Sequence, residues 1–186
     1  MVNIRLKQAL ALFVAVSFVS SMFFFFPHFS NVTPITYYIV VPSNLLEPNS
    51  SYLGNPLQIQ KGVTYDIISF SQAVPVSTLE ADNISNMLDF AGSMLSNENI
   101  SYNVSNGNLQ CLFSRQFVSP LCADLSNGSS WGLFSVASNG NLVPEQIAPE
   151  YIKIGSIDSN STFILAFFAP SNASSNGTTI PHINLG

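Results

Sequence analysis

The hydrophobic pattern along the chain changes character at Pro27. From Ala9 to Phe26 the sequence runs ALALFVAVSFVSSMFFFF, interrupted only by Ser17, Ser20 and Ser21. A run without a polar face fits neither a half-buried strand nor a surface helix. As a helix it would measure about 27 Å, close to the ~30 Å hydrocarbon thickness of a bilayer. Pro27 predicts where it stops. Arg5 and Lys7 precede it and residues 1–8 hold no acid. The bias of basic residues toward the cytoplasm therefore predicts residues 1–8 inside, 9–26 as a single transmembrane helix or signal anchor, and 27–34 as a linker to an extracellular part. The apolar run continues through four phenylalanines past its small residues, which favours a retained anchor over a cleaved signal peptide.

Beyond the linker the apolar positions come in short runs separated by Pro, Gly, Asn and Ser. Residues 35–41 (ITYYIVV) and 56–61 (PLQIQK) predict strands, the first ending at Pro42 and the second at Gly62. Residues 65–74 (YDIISFSQAV) predict a helix with Thr64 as N-cap and Asp66 in the first turn, stopped by Pro75. Residues 78–95 predict a second helix, with Leu79, Ile84, Met87, Leu88, Met94 and Leu95 inward and Glu80, Asp82 and Asp89 wet. Residues 99–104 and 109–118 read as a hairpin about Asn106-Gly107. A strand at 131–137 leads through the turn 138–141 to 142–143, and strands 152–157 and 162–168 are expected to pair across 158–161. The run 163–169 (FILAFFA) is too short to span a bilayer and predicts a buried strand. The fold class expected is α+β, mostly β: a single β-rich ectodomain over 35–170, followed by a Ser/Asn/Gly-rich tail over 171–186 that is loosely ordered.

Charge changes this picture by its scarcity. Asp, Glu, Lys and Arg make up 8% of the chain, against roughly 25% in typical soluble domains. After Pro27 three bases (Lys61, Arg115, Lys153) face ten carboxylates, a net charge of about −7. No basic patch exists to hold a nucleic acid. The surface must be wet by Asn, Ser and Thr, and by sugar. A sparsely charged surface also limits the self-repulsion that unfolds proteins in acid, which makes an acidophile habitat an expectation.

The pattern N-x-[ST] occurs at Asn31, Asn49, Asn83, Asn99, Asn103, Asn127, Asn160, Asn172 and Asn176, never with proline in the middle. From the Asn, Ser and Thr content about four matches would arise by chance. All nine lie on the outer side of the predicted anchor, where N-linked glycans are expected. Cys111 and Cys122 are the only cysteines. In an extracytoplasmic domain such a pair predicts one structural disulfide, worth about 3 kcal/mol for so short a loop.

Two resemblances accompany these readings. LQIQKGVTYDIISFSQAV (57–74) resembles the strand–glycine–helix opening of the β-grasp domain related to the C-terminal part of transcobalamin, and WGLFSVASNG (131–140) is similar to its later aromatic strand ending in Asn-Gly. The family usually has Gly-Asp before its last strand, where this chain has Gly155-Ser156. The resemblance implies a β-grasp-like fold over about 35–169, with an insertion near 78–99, and capture of cobalamin or another small ligand or sugar, with Trp131 as the stacking residue. Separately, Lys7-Gln8-Ala9 resembles the cleavage site of archaeal pilins, except that Gln8 stands where a charged residue is usual. Together with the sequons this implies an archaeal-type N-glycosylated surface protein.

Candidate chemistry is sparse. Gly128-Ser129-Ser130-Trp131-Gly132 matches G-x-S-x-G, with Asp158 and His182 following in hydrolase order. A nucleophile elbow needs a helix after the serine, whereas 133–137 reads as strand, and His182 lies in the tail. His28 and His182 are too far apart in sequence to suggest a metal set. No catalytic residue, metal ligand or cofactor is expected. The function classes left are a membrane-anchored surface or adhesion protein, a filament subunit that donates strand 35–41 to a neighbour, an accessory subunit of a membrane complex, and a small-ligand binder. Expected partners are the membrane, N-linked glycans and other protein subunits, with no nucleic acid.

Overall fold

The structure is a computed structural model that describes residues 33–60, 62–124, 126–157 and 160–169. The predicted anchor at 9–26 and tail at 171–186 lie outside these residues. Among the described residues no helix is long and apolar enough to cross a membrane.

The chain is mostly β. Its strands are β1 (Pro34–Pro42), β2 (Pro56–Gln60), β3 (Val63–Pro75), β4 (Ser101–Ser105), β5 (Asn108–Phe113), β6 (Leu121–Cys122), β7 (Ser130–Val136), β8 (Leu142–Pro144) and β9 (Ser161–Phe168). Two helices, α1 (Val76–Ala81) and α2 (Met87–Asn97), lie between β3 and β4. Six strands form a curled mixed sheet in the order β2-β3-β1-β9-β7-β8, and β4-β5-β6 form a second, smaller sheet. At the centre of the large sheet β1 runs parallel to β9, while β3 and β7 flank that pair antiparallel.

Burial explains why these segments are strands. Ile35, Tyr37, Ile39 and Val41 alternate onto the face that packs against Phe90, Met94 and Leu95 of α2 and against Leu109, Leu112 and Leu121 of the small sheet. The opposite face holds a second cluster, in which Val40, Ile164 and Ala166 meet Tyr65 and the edge residues Ile59 and Leu142. A sheet whose two edge strands contribute to one cluster must be curled. Because β9 is buried on both faces, its sequence reads as an unbroken apolar run instead of an alternation.

The structure corrects four expectations. Residues 65–74 are strand β3, not a helix. Bulges put Ile68 out of alternation opposite Ile39/Val40 and add a further residue opposite Ile35/Tyr37, and these insertions break the two-residue period so that the apolar spacing imitates a helix. At the second bulge Ala73 takes φ +50° and its N–H donates to Thr36 Oγ1 at 3.1 Å. The long helix at 78–95 is two helices joined by a turn. Strand 109–118 ends at Phe113, and the chain then turns through Ser114–Pro120. Residues 152–157 hold a 3-10 turn at Ile154–Ser156, following another at Pro149–Tyr151, instead of a strand, so β9 has no partner there and pairs with β1 and β7. The hairpin at Asn106-Gly107 is present, with both residues at positive φ as a tight primed turn requires.

Candidate glycosylation sites, the disulfide and an open groove

Six sequon asparagines fall within the described residues, and all six (Asn49, Asn83, Asn99, Asn103, Asn127 and Asn160) are exposed. Asn31, Asn172 and Asn176 lie outside them. The six differ in what holds them.

Asn83 and Asn99 are helix stops. Each sits one residue past a helix C-cap in the left-handed region, at φ +60° and +56°. Asn83 N–H donates to Glu80 O at 3.1 Å and Ile84 N–H to Leu79 O at 2.9 Å; Asn99 N–H donates to Ser96 O at 3.1 Å and Ile100 N–H to Leu95 O at 2.9 Å. These are Schellman motifs, each with its apolar contact, because Ile84 and Leu79, and Ile100 and Leu95, are all buried. The middle residue of the N-I-S triplet is thus driven into the core while the asparagine is turned to solvent. Asn127 is held by an Asx turn, its Oδ1 accepting from Ser129 N–H at 2.9 Å with Gly128 at φ +82°. Its sequon hydroxyl is not free: Ser129 is buried and its Oγ donates to Cys122 O at 2.9 Å. Asn49 lies in a turn, Asn160 immediately precedes β9, and Asn103 stands in the middle of β4. None of these three occupies a positive-φ position.

Cys111 and Cys122 form the predicted disulfide. They are directly opposite one another in the β5–β6 pair, with Cα atoms 4.1 Å apart. Asn103 is opposite Cys111 in the β4–β5 pair, so by register Asn103, Cys111 and Cys122 share one face of the small sheet.

An open groove of about 680 Å³ runs beside this sheet, lined by Tyr52, Glu98, Asn99, Phe113, Arg115 and Gln116 among others. A second depression of about 480 Å³ continues past Tyr52 and Glu98 to Tyr38, Phe70 and Gln72. Burial and then the Glu98 carboxylate push the Tyr52 hydroxyl above its ordinary pKa. Phe70 is 61% exposed and stacks on Tyr38. Aromatic faces beside amide and carboxylate groups suit a polar ring ligand in kind. Trp131 does not belong to either depression. Its ring packs on Phe167 with centroids 4.9 Å apart and its indole N–H is buried without a partner among the described residues, so it is not presented as a stacking platform.

Ser130, the serine of the G-x-S-x-G match, opens β7, and a strand, not a helix, follows it. Asp158 and His182 lie outside the described residues. Among the described residues no group of three or more His, Cys, Asp or Glu is placed to hold a metal ion.

No family model, curated protein or solved structure matches this chain.

Two features were not read from the sequence. The helix-stop role of Asn99 had a signal, since it stands just past the apolar-periodic stretch 78–95, whereas Asn83 lies inside that stretch and had none. The groove had none, because its walls come from segments far apart in sequence.

Proposed function

We propose that this chain is a non-enzymatic, membrane-anchored, N-glycosylated protein of the cell surface, with the N-terminus inside and a β-rich head that serves a structural or interaction role outside. One observation carries this reading: every described sequon asparagine is on the surface of the head, including those whose neighbours are buried. Ile84 and Ile100, the middle residues of two sequons, are buried while Asn83 and Asn99 beside them stay outside. The disulfide supports the same compartment. Mass spectrometry of peptides from the native protein tests it. Hexose or N-acetylhexosamine adducts at several of the nine sites are expected, and unmodified asparagine throughout overturns the reading. N-terminal sequencing tests the anchor, since a mature start near Phe26 would remove it.

A second reading, a subunit of an extracellular filament, is favoured by the place of β1. The first strand after the apolar segment fills the central slot of the large sheet, held by β3 on one side and β9 on the other. A strand supplied by a neighbouring copy would occupy that slot with the same pairing. Electron microscopy of gently isolated membranes separates the two: long fibres favour the filament, and dispersed single particles in detergent exclude it. The parallel pairing of first and last strands under a crossing helix also supports a β-grasp-like reading of the head.

A further inference from the structure

The two sheets leave four edge strands, and three of them carry a device that discourages pairing with another chain. β2 begins with Pro56, is followed by Lys61 in the sequence, and has an irregular register with β3. β8 is three residues long and ends in Pro144. β6 is two residues long. The fourth, β4, has none of these. It is five residues (SYNVS) without charge or proline, and all five are exposed. Its bulge lies on the partner strand, where Gln110 is the extra residue, so the outer edge of β4 stays straight. Outside the pairing with β5, no backbone hydrogen bond among the described residues involves 101–105. An uncharged, extended edge that carries Tyr102 and Val104 is a template for a further strand.

What β4 does carry is a sequon at its midpoint. Tyr102 turns inward over α2, where a Cβ on Gly92 would collide with its ring, while Asn103 turns to the other face beside the disulfide. Unlike Asn83, Asn99 and Asn127, Asn103 has no backbone conformation that calls for asparagine. We infer that an N-linked glycan on Asn103 closes the free edge of the small sheet, doing with bulk and hydration what lysine or proline does at other edges. The inference rests on the glycosylated-surface reading above. In a head with so few charges, sugar is the means available.

The full-length chain, produced in a host with an N-glycosylation system and held one copy per lipid nanodisc, tests this. Peptide mass spectrometry first reads occupancy at Asn103, and light scattering then follows association between discs. Asn103→Gln and Ser105→Ala, which both remove the sequon, should associate at about tenfold lower protein concentration than the parent. Asn103→Lys should remain dispersed, and Asn49→Gln should match the parent. If Asn103 is occupied and both sequon-free variants stay dispersed while retaining the parent's far-ultraviolet spectrum, the edge-closing role is overturned and the glycosylated reading stands. If Asn103 is bare in a protein glycosylated elsewhere, the inference falls on that ground alone. If every site is bare, both fall.

Discussion

Gly132 lies beside Ala166 in the middle of the large sheet, and the space left by these two small residues is filled by Phe134 and Phe168. A Cβ at Gly132 would stand 3.0 Å from both rings. Gly132→Val should therefore destabilise the head by about 1–3 kcal/mol, read from the denaturant midpoint. Tyr37 presents the opposite case. It is fully buried, packs tilted against Phe90, and its hydroxyl has no partner among the described residues. An unsatisfied buried hydroxyl opposes folding, so Tyr37→Phe should leave stability unchanged or raise it by about 1 kcal/mol. At Asn99 the left-handed backbone tolerates glycine, so Asn99→Gly should retain the helix stop while deleting the sequon, and Asn99→Ala should lose about 1 kcal/mol. Comparing the two by thermal unfolding separates the backbone role of this asparagine from any glycan it carries.

Among the elements, β3 shows how an insertion misleads a pattern. Its two extra residues keep the strand wrapped on β1 across the curl of the sheet, and they destroy the alternation that marks a strand. Helix α2 is the converse. Asn86 caps it by accepting from Leu88 and Asp89 N–H at 3.0 and 2.8 Å, and Asp89 returns to Ser85, accepting its hydroxyl at 2.8 Å. Asn86→Ala should cost about 1 kcal/mol, visible as a lowered midpoint without loss of the small sheet. Only the spacing of apolar residues was legible beforehand; the break at Asn83 was not, because Ile84 continues the apolar pattern straight through the turn.

For the head as a whole, the alkaline limit follows from its buried phenols. Burial pushes Tyr65 from its ordinary value of 10.0 up to about 12 and raises Tyr37 further. In the unfolded chain both ionise near pH 10, whereas in the folded head they stay neutral. Their contribution is intact below pH 10 and is lost as the pH climbs toward 12 and beyond. Stability measured by denaturant unfolding should fall over that range, and Tyr65→Phe should flatten the fall between pH 10 and 12. The disulfide acts through the unfolded state, so reducing it should lower stability by about 3 kcal/mol while β5 and β6 remain paired in the native head.

The sequence by itself determined whatever depends on local chemistry or composition. It determined the apolar stretch at 9–26 and the nine sequons, the single cysteine pair, the Asn-Gly turn at 106–107, and the strand character of Ile35–Val41 and Phe163–Phe168, whose β-branched and aromatic side chains have few other uses. The tertiary structure alone decided which strands are neighbours. β1 and β9 lie side by side although more than a hundred residues separate them, since only there are both buried from two sides. It also decided that Trp131 packs inward against Phe167 and that β4, with Asn103 at its midpoint, is the edge left open. Pairing and exposure are properties of the assembled sheets, and no window of residues along the chain contains them.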